Sequence, residues 1–358
     1  MKHLFVLAAV LFGTIVCAPA QQRFSDASEL TIIGKGMPTP HPYHRIDTMV
    51  YKGFSKSENQ KVRCSAGLAI VFKTNSSRID LAPVYALFEY HGASTPRVAT
   101  EGFDLYIREK GEWLYAMSAA PRRRGDTFTL VSHMDSTEKE CLLYLPNYSE
   151  LLSLQIGVDE KATLEPMQNP FRHKIMIFGS SFTHGVSTSR SGMSYPMQIE
   201  RQTGLCLCSI ACSGNCMLQD YFARYLADVT DADAMVFDGF SNPDAEMIRE
   251  RLIPFIEIIR QKQPHTPLIF IQTIYRENNN FDLKRREAES AKRTAAREMM
   301  DVAMQRFDNV YFLDIPDLTG TDHVTSADGT HPSDLGYWRW AQKLQPRLLK
   351  VLRKHGIR

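Results

Sequence analysis

The chain has 358 residues, 42 Lys and Arg against 40 Asp and Glu, a net charge of +2, and 44% hydrophobic and 23% charged residues. This is the make-up of an ordinary globular protein of about two domains, and it excludes a disordered chain, a collagen-like fibre and a multi-span membrane protein. The balanced charge leaves no electrostatic footprint for nucleic acid, which calls for a strongly basic domain.

The longest apolar run comes first. Lys2 and His3 precede an almost continuous apolar stretch from Leu4 to Val16, and Ala18-Pro19-Ala20 follows before Gln21. A polar start, an apolar centre and small closing residues read as a secretory signal over residues 1–20, cut after Ala20. The mature chain is therefore expected to be secreted or periplasmic. Cys17 offers a lipoprotein reading, less favoured because Val16 stands where a small residue is wanted. No later run approaches the roughly 18 apolar residues that a membrane helix needs, so the mature chain is expected to have no transmembrane segment.

Residues 21–165 read as an N-terminal β domain. Short β runs recur at Leu30–Ile33, Gly67–Phe72, Phe103–Ile107, Trp113–Tyr115, Thr127–Val131 and Cys141–Leu145. Turn residues separate them, and Glu109-Lys110-Gly111-Glu112 reads as a hairpin tip. No long helix is evident, which points to a β-sandwich of jelly-roll type. Asp159–Pro170 reads as a linker. Arg122-Arg123-Arg124 reads as a solvated hairpin tip.

From residue 171 to 358 the pattern alternates. Strands are expected at Lys174–Phe178, Leu205–Ala211, Ala234–Phe237, Leu268–Gln272 and Val310–Leu313. Helices are expected at Tyr195–Gln202, Gln219–Leu226, Ala245–Arg260 with Pro254 inside, Lys284–Arg306 and Ser333–Arg353. The mixed charges of Lys284–Arg306 read as an exposed face with ion pairs inside the helix. Alternation of this kind argues a parallel sheet covered on both faces, an α/β fold whose ligands bind beyond the carboxyl ends of the strands.

Six cysteines follow the signal: Cys64, Cys141, Cys206, Cys208, Cys212 and Cys216. They are too sparse for a disulfide scaffold. The four in Leu205–Cys216 lack the paired C-x2-C spacing of zinc knuckles, so they read as small buried side chains. One local disulfide among Cys206, Cys208, Cys212 and Cys216 stays open. The reading calls for no cofactor and no metal.

The chemistry-bearing residues fall where the strands should end. Gly179-Ser180-Ser181 follows the first strand, on a tight turn that would expose a serine hydroxyl. Serine is a weak nucleophile unless a base adjoins it. Asp328-Gly329-Thr330-His331 places a carboxylate within one turn of an imidazole, where it can hold Nδ1 and leave Nε2 free as base. Gly214 and Asn242 follow the second and third strands and can offer an N–H and a side-chain amide to a developing oxyanion. His184 lies too near Ser181 to be the base and reads as a turn residue or a substrate contact. Asp322 and His323 lie in a loop, Thr319–Ala327, that could help cover the site.

Ser181, Gly214, Asn242 and His331, in that order on four loops, resemble the SGNH (GDSL-type) hydrolases. The resemblance covers about residues 171 to 355. It implies a three-layer α/β/α flavodoxin-like domain, Ser181 as nucleophile, His331 and Asp328 as base and orienter, and Ser181, Gly214 and Asn242 as oxyanion donors. Two departures stand out. Ser180 replaces the usual Asp, and Gly239-Phe240-Ser241-Asn242-Pro243 replaces the usual Gly-x-Asn-Asp. Gly102-Phe103-Asp104-Leu105-Tyr106 resembles the GxDLY motif of a β-sandwich domain found ahead of some SGNH hydrolases, with Asp104 and Tyr106 read as structural strand residues. Relatives of this kind include sugar-ester deacetylases and acyltransferases. The function implied is a serine esterase acting on short acyl, especially acetyl, esters of carbohydrates or other small polar molecules. Acyl transfer with the same triad and a non-catalytic carbohydrate-binding protein are the alternatives.

Overall fold

A computed structural model describes residues 21–87 and 92–358. The signal and Cys17 readings lie outside the described residues.

Among the described residues the first half holds ten strands: β1 Gln22–Asp26, β2 Thr31–Ile33, β3 Ala69–Thr74, β4 Ile79–Tyr85, β5 Phe103–Glu109, β6 Glu112–Ala119, β7 Phe128–Val131, β8 Lys139–Tyr144, β9 Leu151–Asp159 and β10 Leu164–Pro166. They form an antiparallel sandwich of two sheets, β1-β9-β4-β7 and β10-β3-β8-β5-β6, with β2 also on the edge of β3. The β5–β6 hairpin turns at Lys110 and Gly111, both at positive φ, as a two-residue turn matched to strand twist requires.

Strand alternation explains why β3, β5 and β8 are largely buried on both faces. Ile70, Phe72, Leu105, Cys141 and Leu143 face the sandwich interior. Their neighbours Ala69, Val71, Tyr106, Leu142 and Tyr144 belong instead to the core of the second half. With a period of two, one sheet thus serves two cores, and a polar side chain on either face, such as Asp104, must find a partner there. The same alternation turns Asp104 and Tyr106 of the GxDLY motif toward the second half.

The second half contains β11 Arg172–Gly179, β12 Leu205–Ser209, β13 Ala234–Asp238, β14 Leu268–Ile271 and β15 Val310–Leu313. They pair in parallel in the order β12-β11-β13-β14-β15. Counted within this half the order is 2-1-3-4-5, that of flavodoxin-like sheets. In chain order the helices are α1 Lys56–Arg63 and α2 Arg97–Thr100 in the first half, then α3 Ser181–His184, α4 Tyr195–Thr203, α5 Asp220–Asp228, α6 Ala245–Arg260, α7 Leu283–Arg306 and α8 Asp334–Lys354. Helix α4 packs with α8, while α5, α6 and α7 lie in a row, giving the two helical layers. The fold is an α/β/α sandwich preceded by a β-sandwich.

Three expectations change. The stretch Asp159–Pro170 is not all linker, because β10 inside it pairs with β3. Helix α1 was not expected, although Ser55 and Glu58 form a complete capping box at its start. The charges of α7 mostly reach its neighbours: Arg297 pairs with Asp314, Arg306 with Glu257 and Glu298 with Arg249, while Lys292–Glu289 is internal. All six described cysteines are buried and free, with no disulfide among them. Among the described residues no helix is long and apolar enough to cross a membrane.

Candidate active site

Strand β11 ends at Gly179, and the chain turns at once into α3. Ser180 caps that turn, accepting the Phe182 N–H at 3.1 Å. Ser181 is its first residue and is 8% exposed. Gly185 closes the turn at φ +90, where a Cβ would lie 2.7 Å from the Asn147 amide nitrogen, so only glycine fits both the conformation and the space.

Across the sheet edge, Asp328 and His331 share one turn. Asp328 Oδ1 accepts the N–H groups of Thr330 at 2.9 Å and His331 at 2.7 Å, folding the turn over itself. This brings Asp328 Oδ2 to 2.8 Å from His331 Nδ1. The other ring nitrogen, Nε2, lies 2.9 Å from Ser181 Oγ. Ser181, His331 and Asp328 therefore form one hydrogen-bonded chain across 150 residues of sequence. Such a chain can draw a proton from the hydroxyl onto the imidazole while the carboxylate steadies the resulting cation. Burial pulls the Asp328 carboxyl upward, but the hydrogen bonds from His331 and Thr330 and the imidazole beside it outweigh this and hold it at about 2. It is thus ionised at neutral pH.

Gly214 adopts φ +72, and a Cβ there would meet nothing, so backbone conformation and not crowding asks for glycine. Its loop is held by its carbonyls. Lys61 of α1 donates to the Ser213 carbonyl at 2.6 Å, and the fully buried Arg45 donates to the Ala211 carbonyl at 2.9 Å. Asn242 presents a buried side-chain nitrogen that has no hydrogen-bond partner among the described residues. A buried amide left without a partner costs free energy, so its retention fits an acceptor that arrives with the reaction. The peptide before Asn242 is clamped too. Its Ser241 carbonyl receives Arg276 and, at 3.2 Å, Lys292, and Glu289 bridges these two cations at 2.7 Å to each.

Two residues organise the serine turn: Asp238, not singled out in the sequence, and His184. Asp238 ends β13 in register with Gly179 and is buried. Its Oδ2 accepts from Ser180 Oγ at 2.6 Å, Ser180 N at 3.1 Å and Thr183 Oγ1 at 3.0 Å, and its Oδ1 accepts from Ser241 Oγ at 2.6 Å. Burial raises its carboxyl, and these donors work against that rise. Ser180, which stands where the family usually has Asp, is thus bonded to a carboxylate from β13, the strand beside β11 in the sheet. His184 is neither exposed nor within the hydrogen-bonded chain. Its Nε2–H donates to the Asn147 carbonyl at 2.8 Å, Nδ1 accepts the Ser213 N–H at 3.3 Å, and the ring stacks on Tyr148 at 4.1 Å. Burial first, then the Arg45 cation, pushes its imidazole well below the usual histidine range. It is a neutral strut between three loops, and the substrate-contact reading does not hold.

The remaining candidates are accounted for by structural bonds. Asp104 receives Arg190 at 3.0 Å and the Gly192 N–H at 2.9 Å, and Arg190 also reaches the Tyr106 hydroxyl at 2.7 Å. The GxDLY residues thus fasten the segment that follows the serine turn. Asp322 pairs with Arg339 at 2.6 Å and His323 with Glu277 at 2.8 Å. Thr319, Thr325 and Ser326 of that loop line a small cleft with Tyr275 and Thr330 beside the His331 turn. Of the three arginines, Arg122 and Arg123 are exposed, while Arg124 packs over Tyr85 and donates to the Ala86 carbonyl. Among the described residues no group of three or more His, Cys, Asp or Glu side chains could hold a metal ion.

Comparison with known proteins decides the family. Residues 172–349 match the model of the GDSL-like lipase/acylhydrolase family, and residues 22–164 match the GxDLY model, the N-terminus of SGNH hydrolase-type esterases. A crystal structure of a GDSL-like lipase from Bacteroides ovatus is 39% identical, with a TM-score of 0.91 over 93% of this chain and 98% of that one. The chain belongs to the GDSL-like lipase/acylhydrolase family. Membership makes it a carboxylic ester hydrolase by class. Two more distant structures share the fold. A salicylyl-acyltransferase, SsfX3, from a tetracycline biosynthetic pathway is 18% identical at a TM-score of 0.71, covering 92% of this chain and 97% of that one. A family two carbohydrate esterase from Cellvibrio japonicus is 12% identical at a TM-score of 0.62, covering 94% and 99%. No curated protein matches the chain.

Proposed function

We propose that this GDSL-family hydrolase is an exported serine esterase that removes short acyl groups, acetyl foremost, from carbohydrates or other small polar alcohols. One observation carries the catalytic part: the unbroken chain Ser181 Oγ to His331 Nε2 at 2.9 Å and His331 Nδ1 to Asp328 Oδ2 at 2.8 Å. His331 takes the hydroxyl proton as Ser181 Oγ bonds to the ester carbonyl carbon. The Ser181 and Gly214 N–H groups and the Asn242 amide meet the charge that moves onto the carbonyl oxygen. Collapse expels the alcohol, which leaves with the proton from His331. Water then repeats the sequence on the acyl-serine, releasing the acid and restoring Ser181. Asp328 stays ionised throughout and keeps the imidazole oriented.

The substrate class rests on the small cleft beside the His331 turn, with Glu277, Thr319, Thr325, Ser326 and Thr330 in its lining, on the family, and on the fold shared with a carbohydrate esterase. Export rests on the N-terminal signal pattern. The test is acetate release by the mature chain and by Ser181→Ala from a panel of acetylated sugars and p-nitrophenyl acetate. The proposal expects turnover by the parent and a fall of about a thousandfold or more in the variant. Parent-rate hydrolysis by Ser181→Ala would remove the nucleophile. Sugar binding without any turnover would favour the binding-protein alternative. Preferred transfer to an added alcohol over water would favour the acyltransferase.

A further inference from the structure

The first half of the chain reaches the Asp328–His331 turn through a side-chain hydrogen bond. Ser94, in the loop ahead of α2, donates its hydroxyl to Asp328 Oδ2 at 3.0 Å, across 234 residues of sequence. That oxygen is the one that receives His331 Nδ1. Ser94 is itself held. Ser187, six residues after Ser181, donates its hydroxyl to Ser94 Oγ at 2.7 Å, and the Ser187 N–H donates to Thr95 Oγ1 at 3.0 Å. Ser187 sits at φ +65 and is 7% exposed, so the segment after the serine turn is bent to meet this loop.

We infer that Ser94 is a positioning residue for the ester-cleaving site, acting through Asp328, and that the N-terminal domain thereby completes the catalytic machinery. The inference rests on the esterase reading above. Its physical basis is the division of the Asp328 carboxylate. Oδ1 is occupied by two backbone N–H groups, which fix the turn. Oδ2 would otherwise be free to swing with its solvent-facing lone pair, since the side chain is one-third exposed. The Ser94 hydroxyl fills that position and leaves one well-directed site for the imidazole N–H. A hydrogen bond to a charged acceptor is among the stronger kinds, and it shares out the charge that Asp328 presents to His331. The relay Ser187 to Ser94 to Asp328 also links the segment after the nucleophile with the acid that serves its base. The sheet edge therefore need not hold the two turns in register by itself.

The sign of the effect follows from the sharing. Without the Ser94 hydroxyl, Asp328 Oδ2 gives its full charge to the imidazolium, and His331 holds its proton to higher pH. Charged groups recorded near this turn are Arg276, behind the Phe182 ring that packs against His331, and Glu277, which lines the adjoining cleft with Thr330 and pairs with His323. Both are untouched by the substitution.

The test compares parent, Ser94→Ala and Ser94→Thr, all full mature chains. The His331 ring is titrated by NMR on 13C-labelled histidine, assigned with His331→Asn, and kcat and KM are measured on p-nitrophenyl acetate. Ser94→Ala is expected to move the His331 titration and the acid limb of kcat/KM upward together. It should also lower kcat by about 3- to 10-fold with KM little changed, the effect of one partly exposed hydrogen bond. Ser94→Thr, which keeps the hydroxyl, should restore both. A His331 titration in Ser94→Ala that coincides with the parent overturns the inference, whatever happens to Tm. So does failure of the threonine to restore it. The titration needs no turnover. An inactive parent with the expected shift would reject the esterase reading and leave the Ser94 linkage standing.

Discussion

Ser181 sits on a largely buried turn, whereas Asp328 and His331 sit on a turn that faces solvent, with side chains 33% and 19% exposed. The buried turn is fixed by groups distant in sequence: the Asp238 carboxylate, and the Asn147 carbonyl and Ser213 N–H that hold the turn's own His184 ring. The open turn is fixed by its own backbone, through the two N–H groups on Asp328 Oδ1, with outside ties from Ser94 and from Asn278, which donates its N–H to the Gly329 carbonyl and its side-chain amide to Thr330 Oγ1. The difference teaches which part of the site is foldable locally. An Asp-x-x-His turn can form wherever the chain permits it. The serine turn exists only once the sheet and both domains have come together. Changes around Ser181 should therefore cost stability along with activity, while changes around Asp328 should cost activity alone.

The largest stability effect is expected at the seam behind the serine turn. Asp104→Ala leaves Arg190 with no carboxylate in a largely buried place and frees the Gly192 N–H. Breaking one side of such a pair costs about 3 to 5 kcal/mol. Chemical denaturation should show that loss, with activity falling in step with the folded fraction. A small stability change with a large fall in kcat would contradict the structural role.

Next comes Asn242→Ala. Its amide nitrogen has no protein partner to lose, so stability should be nearly unchanged. Removing one oxyanion donor should cut kcat by about a hundredfold. An activity close to the parent would take Asn242 out of the site and leave Gly214 and the Ser181 N–H as donors.

The smallest effect is a pH dependence of stability. His184 is held neutral, its folded pKa pushed well below the ordinary 6.5. A depressed value means the unfolded chain binds the proton more readily. The stabilising contribution is thus present above about pH 6.5 and lost as pH falls below it. Thermal melts should show Tm declining as pH falls from 7 to 5. His184→Gln should weaken that decline while lowering Tm overall. An unchanged slope in the variant would mean another group drives it.

Much of this was legible in the sequence, for reasons that differ by element. Helix Ala245–Arg260 and strand Val310–Leu313 occur where their periodicity puts them, because each faces a single, uniform core. Ser181 and the Asp328–His331 turn were legible because chemistry at strand ends uses few residue types. Strand β4 was obscured by Pro83 near its end, and β10 by Glu165 and Pro166 at a sheet edge, where pairing makes few demands on residue type. Helix α1 could have been found from Ser55 and Glu58. Asp238 and Ser94 could not, because a lone Asp after a strand and a lone Ser in a loop carry no local signal. Their roles arise only from what folding brings beside them. The charges on α7 misled in the same way: spacing shows which residues could pair within a helix, not which neighbours will compete for them.

The central claim is that Ser181 is activated by His331, and covalent trapping tests it without reference to any natural substrate. The mature chain is treated with a p-nitrophenyl alkylphosphonate, and the released nitrophenolate is counted while mass spectrometry locates the adduct. The account predicts one equivalent, on Ser181, with labelling at least a hundredfold slower in a folded His331→Ala variant. An adduct on any other residue, or equal labelling of Ser181 with His331 removed, would contradict it.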